Sequence, residues 1–327
     1  MSTVLITGGT GYIGSHICVE LLNNNYNVII IDNLQNSDNA IIDVIHQLTN
    51  KKPIFYPYDM NRIELIDEIF ANHHIDIVIH CAGLKSVSDS VIDPINYYFH
   101  NINITINLLK IMKKNNCKKI IFSSSCTVYG KQNIIVDENT ITGINIQCPY
   151  GKTKYCIEEM LKDMYLSDPV WSIIILRYFN PVGCLNPKLA ENPRNTPTNL
   201  MPYIIRVVRG IYDKLTIYGN DYDTIDGTCI RDFVHVVDIA KGHYKALCKI
   251  NEAGIHIYNL GTGNGVSVLQ LITTFEKCNN IKINYVFGGR RQGDVPIIYA
   301  DIKKAHDELD WVCEKTIEDM CVDSFSI

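Results

Sequence analysis

Three of the four glycines in residues 8–14, Gly8, Gly11 and Gly14, are spaced three apart between a short apolar stretch and the start of a helical pattern. Val4 to Ile6 reads as a buried parallel strand, and Ile17, Leu21 and Leu22 carry the apolar face of the helix that follows. Strand, glycine turn and helix in this order form the setting of a dinucleotide site. A turn so tight needs a positive φ or the absence of a Cβ, and glycine supplies both at little cost. Backbone then comes close to a pyrophosphate, and the N–H groups and dipole of the helix N-terminus face the anion. A second apolar strand, Val28 to Ile31, ends at Asp32. A carboxylate there accepts from the ribose hydroxyls and repels a 2′-phosphate, which favours NAD over NADP. Without a ligand, the same residues would be a tight turn and a solvated strand-end acid.

The chain has 327 residues, enough for one large domain with a lobe or for two domains. It is 46% hydrophobic and 20% charged, within the range of globular proteins. A net charge of -5 and the lack of a basic block argue against nucleic acid as a partner. Lys51-Lys52, Lys113-Lys114 and Lys118-Lys119 read as solvated faces. No stretch approaches the ~18 continuous apolar residues of a membrane helix, and the N-terminus lacks the pattern of a secretory leader. A cytoplasmic, reducing setting is expected. The 12 cysteines are dispersed without zinc-ligand spacing, so no metal is expected. Most read as small buried apolar groups. Cys81 and Cys126 fall inside motifs and are candidates for reactive thiols.

Apolar strands alternate with helical patterns through the first half. The strands are read at Val4–Thr7, Val28–Asp32, Ile54–Tyr58, Ile75–Cys81, Lys119–Ser124 and Ser172–Tyr178. Helices are read at Gly11–Asn23, Asn39–Thr49, Arg62–Asn72, Pro94–Asn115 and Gly151–Leu166. This rhythm predicts an α/β fold, a Rossmann-like doubly wound parallel sheet, with a smaller mixed α/β C-terminal lobe. Residues 1–180 would bind NAD and 181–327 would form the second lobe, with some elements returning to the first. The polar motifs Gly8, Asp32, Asp59, Ala82-Gly83 and Ser123-Ser124-Ser125 fall at the carboxyl ends of strands, where such sheets bind ligands. After Asn180, Pro181, Pro187, Pro193 and Pro197 predict a long loop. Helices are expected near Asn199–Gly210, Val237–Ile250 and Val266–Cys278.

Tyr150 and Lys154 lie four residues apart at the start of a helix and share one face. A free phenol has a pKa near ~10. A neighbouring ammonium and a cationic nicotinamide ring favour the phenolate and lower that value. A tyrosine so placed can act as general base toward a sugar hydroxyl, and the ammonium can hold the nicotinamide ribose. Ser125 closes the serine cluster, and its hydroxyl can relay a proton or donate to the reacting oxygen. Ser123 and Ser124 read as turn residues satisfied by their own hydroxyls.

Thr7-Gly-Gly-Thr-Gly-Tyr-Ile-Gly14, Ser123-Ser-Ser-Cys-Thr-Val-Tyr129, Tyr150-Gly-Lys-Thr-Lys154 and Arg177-Tyr-Phe-Asn-Pro-Val-Gly183 resemble the extended short-chain dehydrogenase/reductase family. Ala82-Gly-Leu-Lys85, Asn199-Leu-Met-Pro202, Gly227-Thr-Cys-Ile-Arg-Asp232 and Arg290-Arg-Gln-Gly-Asp294 extend the likeness to its sugar-nucleotide epimerases, over nearly the whole chain. The resemblance implies interconversion of UDP-glucose and UDP-galactose, by transient oxidation at C4, turning of the 4-keto sugar and hydride return. Tyr150 would be the base, Lys154 its partner and Ser125 the relay. Gly8, Gly11, Tyr12, Ile13, Gly14, Asp32, Asn33, Asn36, Ser37, Asp59, Met60, Cys81, Ala82, Gly83, Lys85, His100 and Phe179 would line NAD with the catalytic three. Lys85, Ser125, Thr127, Tyr150, Asn180, Asn199, Leu200, Thr216, Ile217, Tyr218, Arg231, Arg291, Asp294 and Ile298 would line the UDP-sugar. Guanidinium groups suit a diphosphate. Ile298 stands where side-chain bulk decides whether a 2-acetamido group fits. Cys81, Cys126, His100, Ile104 and Phe233 depart from the residues common in the family. A homodimer through Pro94–Asn115 and Gly151–Leu166 is implied. Other UDP-sugars, with an acetamido group, a pentose or glucuronate, remain alternative substrates, and a non-catalytic NAD-binding regulator is the alternative of a different class. A 4,6-dehydratase would need acids after Thr127, where Val128 and Tyr129 stand.

Overall fold

The computed structural model describes residues 2–132, 135–191, 197–291 and 294–325. Pro193, Gln292 and Gly293, which belong to segments read above, lie outside the described residues. Seven parallel strands form the main sheet: β1 (Thr3–Thr7), β2 (Asn27–Ile31), β3 (Ile54–Tyr56), β4 (Ile77–His80), β5 (Lys119–Ser125), β6 (Ser172–Tyr178) and β7 (Gly254–Leu260). Their spatial order is β7-β6-β5-β4-β1-β2-β3. The order reverses between β1 and β4, and this switch point opens a crevice above the strand ends.

The strands are apolar without a break because both faces are covered. Val4 and Ile6 of β1 face one core, Leu5 the other. Val28 and Ile30 alternate with Ile29 and Ile31, and Ile174 and Leu176 with Ile173 and Ile175. The first core packs the helices Tyr12–Asn23 and Val236–Lys249 with Trp311. Against the second lie the helices Ile63–Asn72, Pro94–Lys114 and Pro149–Ser167.

β7, from the C-terminal half, pairs with β6 along all seven of its residues. The later residues also build small sheets. Ile230–Arg231 lies between Val266–Ser267 and Ile297–Ala300, and Leu215–Tyr218 pairs with Tyr285–Gly288. Several boundaries differ from the sequence reading for local reasons. Asp32 and Cys81 fall just beyond their strands and begin the turns over the crevice. The catalytic-region helix starts at Pro149, a residue suited to the first helical position. Val266 and Ser267 are strand, and Ser267 then caps the helix Val268–Asn279 by accepting from Gln270 N–H at 3.0 Å. The proline-rich segment is not all loop, because Asn180–Val182 pairs with Phe233–His235. A short helix, Val87–Ile92, capped by Ser86, had no sequence counterpart in the expectations.

Arg177 and Glu158, both fully buried, tie β6 to the Pro149–Ser167 helix. The Arg177 Nε and Nη2 groups donate to the two Glu158 oxygens at 3.0 and 2.7 Å. Ser124 of β5 donates to the same carboxylate at 2.5 Å. Arg177 Nη1 also donates to the Tyr129 hydroxyl at 3.0 Å, which donates in turn to Asn259 Oδ1 of β7 at 2.6 Å. All three strands nearest the helix are thus fixed to one ion pair. Among the described residues, no helix is long and apolar enough to cross a membrane. All twelve cysteines are free thiols.

Candidate active site

The glycine turn works by two separate means. Gly8 alone of the three has a positive φ, +70°, and a Cβ there would stand 2.8 Å from Ala82 N. Gly14 has an ordinary backbone, but its Cβ would lie 2.2 Å from Gly8 O and 2.8 Å from Gly9 Cα. Gly11 has a φ of -70° and begins the helix without a side-chain cap. Positive φ therefore explains only Gly8, and close packing of helix on turn explains Gly14. Ile13 packs against the first core.

Asp32 faces this turn. One of its oxygens accepts from Thr10 N at 3.2 Å, and the other accepts from Leu34 N at 2.9 Å and Ser37 Oγ at 3.3 Å. Ser37 and Thr10 share a further hydroxyl contact of 2.7 Å. Asn33 and Asn36 are exposed on the same loop. At the next strand end, Asn61 holds two candidates at once. Its amide donates to Asp59 Oδ1 at 3.0 Å and to His100 Nδ1 at 3.1 Å. Buried Met60 accepts through its carbonyl from Asn107 at 3.0 Å. Cys81, Ala82 and Gly83 follow β4. Asn101 clamps the loop beyond them, accepting from Leu84 N–H at 2.7 Å and donating to Leu84 O and to Thr153 Oγ1 at 3.0 Å each.

The chemical centre lies where β5 ends beside the Pro149–Ser167 helix. The Ser125 hydroxyl accepts from Thr127 N at 3.2 Å and Thr127 Oγ1 at 3.0 Å, and it is near enough to the Tyr150 phenol to favour its ionised form. Lys154 is buried, with its ammonium donating to Ser123 O at 2.7 Å. That ammonium lies 4.8 Å from the Phe122 ring centroid and 5.9 Å from that of Tyr150. Burial lowers its pKa to about 8. The Tyr150 phenol moves the other way: burial raises it, and the Ser125 hydrogen bond opposes the rise. The expected acidity rests on the lysine together with a cationic nicotinamide ring, and burial by itself acts against it. The expectation for the two motif thiols is corrected. Burial pushes Cys81 to about 11 and Cys126 to about 12, so neither is a ready thiolate at neutral pH.

The substrate candidates fall into two groups, one around Asp294 and one around Glu191. Asp294 lies between two guanidinium groups: Arg291 Nη2 is 2.8 Å away and Arg231 Nη2 is 3.6 Å away. Arg231 also donates to Ile230 O at 2.9 Å and Val295 O at 2.7 Å, which fixes its direction. Arg291 stacks on Tyr218, 5.9 Å from the ring centroid. Tyr218 ends the strand that holds Thr216 and buried Ile217. Ile298 sits beside Arg231 in the sheet and packs in one buried cluster with Phe179 and Val128. Asn180 N–H donates to Asp232 O at 2.9 Å. Asn199 precedes Leu200 at a helix start and donates to Glu191 Oε1 at 2.8 Å. Lys85 pairs with the same carboxylate and lies 5.8 Å from the Tyr12 ring centroid. Tyr12 donates to Gly183 O at 2.5 Å. Glu191 thus joins Lys85 of one half to Asn199 of the other.

Sequence reasoning missed Asn61, Asn101 and Glu191. Each acts through a partner that only folding brings near, so no local spacing announced it.

The sequence profile of the NAD dependent epimerase/dehydratase family matches residues 4–261, and the chain belongs to that family. Its relatives are more particular. The UDP-glucose 4-epimerase of Haemophilus influenzae is 47% identical over 326 residues, covering 99% of this chain and 96% of that protein. The UDP-glucose 4-epimerase of Bacillus subtilis is 45% identical over 326 residues, covering 98% and 95%. Among solved structures, UDP-glucose 4-epimerase from Bifidobacterium longum in complex with NAD+ and UDP is 47% identical. It covers 99% of this chain and 97% of its own, with a TM-score of 0.96.

Proposed function

We propose that this protein interconverts UDP-galactose and UDP-glucose by inverting C4 of the hexose with a bound NAD. The observation that carries this reading is the buried Lys154 ammonium, bonded to the Ser123 carbonyl and 5.9 Å from the Tyr150 ring centroid, at the strand end that carries Ser125. Likeness over nearly the full length of UDP-glucose 4-epimerases supports it.

The residues suit the cofactor. Gly8, Gly11 and Gly14 leave a cradle that side chains at Gly8 and Gly14 would close, and Asp32 stands where the ribose hydroxyls would come. Tyr12, Ile13, Asn33, Asn36, Ser37, Asp59, Met60, Ala82, Gly83, Lys85, His100 and Phe179 complete the proposed NAD contacts, with Cys81 beneath them. Held there, NAD would supply the acceptor and donor of the hydride exchanged with C4. Tyr150 removes the proton of the 4-hydroxyl and later returns it. Ser125 donates to the reacting oxygen and keeps it within reach of the phenol. Lys154 supplies positive charge below the phenol, which favours the phenolate.

Arg231 and Arg291 hold the diphosphate, for which Asp294 must release them toward the ligand while it turns to the ribose. Asn180, Asn199, Leu200, Thr216, Ile217 and Tyr218 complete the nucleotide wall, and Thr127 and Ile298 border the sugar. Strong contacts on the diphosphate and weak ones on the ring let the 4-keto sugar turn without leaving. Residues 1–180 carry NAD in this reading and 181–327 the UDP-sugar. The working form is a cytoplasmic homodimer, joined through the Pro94–Lys114 and Pro149–Ser167 helices. Exposed Val91, Ile92, Ile95 and Phe99 at the start of that surface support it.

Purified protein given UDP-galactose, without added NAD, is expected to form UDP-glucose. No conversion even with NAD supplied would overturn the reading and favour a binding regulator.

A further inference from the structure

A line of buried hydrogen bonds runs away from the chemical centre into the first core, and its far end is a histidine that the mechanism above does not use. Ser123, whose carbonyl holds Lys154, places its hydroxyl 2.7 Å from Tyr178 OH and 3.0 Å from Cys81 Sγ. Tyr178 OH lies 2.5 Å from His243 Nε2. His243 Nδ1 lies 2.9 Å from Ile239 O. Ser123, Tyr178 and His243 are all buried, His243 completely. Tyr178 ends β6 directly beside Ser125 of β5, and it is near enough to Cys81 and Tyr150 to feel their charge.

The protons along this line have one consistent arrangement. A carbonyl oxygen can only accept, so His243 Nδ1 carries hydrogen and donates to Ile239. Neutral imidazole then has a bare Nε2, which can only accept, so Tyr178 donates to it. The Tyr178 oxygen is left to accept from Ser123, whose single hydrogen is spent on this shorter contact of 2.7 Å and not on Cys81 Sγ at 3.0 Å. Every donor points toward the Val236–Lys249 helix. Every lone pair points back toward the crevice.

We propose that His243 is a positioning residue that sets the direction of this chain, so that its negative ends face the bound nicotinamide and favour the cationic, oxidised form of the cofactor. The inference rests on the reading of the crevice as an NAD site. Aligned dipoles in a low-dielectric interior reinforce one another. Removing the acceptor at Nε2 frees Tyr178 to turn its hydrogen toward Ser123, which reverses the chain and turns hydrogen toward the crevice. His243→Leu removes the acceptor. His243→Gln supplies an acceptor and a donor on one planar amide and should largely restore the direction. Tyr178→Phe breaks the chain one link nearer the site.

The first measurement is nitrogen NMR of the imidazoles, assigned through His243→Gln. The Nδ1–H tautomer is expected for His243, and an Nε2–H tautomer would overturn the proposal without any reference to activity. The second is calorimetric affinity for NAD+ and NADH in each variant freed of bound nucleotide. His243→Leu and Tyr178→Phe should each shift the ratio of the two affinities toward NADH by about threefold to tenfold. The double variant should do no more than the larger single effect, and His243→Gln should stay close to the parent. An unchanged ratio, or effects that multiply in the double variant, would overturn it. If His243→Leu does not fold, Tyr178→Phe and His243→Gln give the same decision. Loss of UDP-galactose conversion in the parent protein would count against the proposed function, whereas the tautomer and the affinity ratio test this inference separately.

Discussion

The Lys154 ammonium is held 5.9 Å from the Tyr150 ring centroid by its bond to the Ser123 carbonyl, so it lies beneath the phenol and not at its oxygen. Ser125 stands near that oxygen, and burial pushes the phenol further from ionisation in the protein alone. In the proposed mechanism the phenolate would need the positive charge of Lys154 together with that of a bound nicotinamide ring. Tyr150→Phe should lower turnover by roughly 10²–10⁴-fold, the usual worth of a positioned acid–base group. The glycine turn is untouched by that change, so bound NAD should remain, as measured by nucleotide release on denaturation. Near-normal turnover would refute the role of the phenol.

Stability should fall on acidification through a defined window. Four buried histidines each use one ring nitrogen as an acceptor. His16 and His235 accept from the N–H groups of Leu185 and Val237 at 3.0 and 3.1 Å. His80 accepts from Thr7, whose own oxygen already accepts from Ala82 N–H, and His243 accepts from Tyr178. A second proton on His16 or His235 would meet a backbone N–H, and one on His80 or His243 would force the partner hydroxyl to turn. Burial lowers His16, His235 and His243 to about 4 and His80 to about 3, against 6.5 for the free side chain. Between pH 6.5 and about 4 the unfolded chain binds protons that the folded chain refuses. Stability thus rises with pH in this window and is lost as pH falls. Denaturant midpoints measured across it should slope accordingly, and less steeply in His243→Gln. A flat profile would contradict the assignment. Lys154, lowered to about 8, acts in the alkaline range with the same sign, stability rising from pH 8 toward 10.5.

The two ends of the glycine turn should respond differently to one added methyl. Gly14→Ala places a Cβ 2.2 Å from Gly8 O, a contact with backbone that neither partner can relieve by rotating. The Tyr12–Asn23 helix must move off the turn. Cofactor affinity should fall by at least tenfold, on the scale of ~1.4 kcal/mol or more, and the thermal midpoint with it. Gly11→Ala meets only Gly8 O at 3.2 Å and keeps an ordinary φ, so it should cost less. Calorimetry with NAD+ on both variants distinguishes the two, and equal losses would show that the close approach at Gly14 is not what shapes the cradle.

The sheet was readable because each strand is an unbroken apolar run ending in polar residues, a pattern forced by burial on both faces. Tyr150, Lys154 and Ser125 were readable because helical spacing and a strand end place them without help from distant chain. Asn61, Asn101 and Glu191 were not, since their partners lie 39 residues away for Asn61 to His100, 52 for Asn101 to Thr153 and 106 for Glu191 to Lys85. The burial of the Tyr150 phenol was not legible for a related reason. Spacing shows that two side chains share a face, but how deeply that face is buried depends on what packs over it. β7 was not read from the sequence, and its place beside β6 rests on pairing across some eighty residues of intervening chain.

Arg177 lies in a motif shared with sugar-nucleotide epimerases, and its surroundings in this fold assign it to the scaffold. It is 1% exposed, and its Nε and Nη2 groups are spent on Glu158, with Nη1 bonded to Tyr129. Arg177→Met removes the countercharge and leaves a buried carboxylate with Ser124 as its remaining donor. Breaking one side of such a pair costs about 3–5 kcal/mol. Replacing both partners by apolar groups of similar volume is often nearly neutral, so Arg177→Met combined with Glu158→Leu should recover much of the loss. The stranded Ser124 and Tyr129 hydroxyls keep the recovery incomplete. Urea denaturation of the two variants measures this directly. At a temperature where Arg177→Met remains folded, its KM for UDP-galactose should match the parent's, because the side chain never reaches the crevice. A large rise in KM without loss of stability would place Arg177 in the site after all.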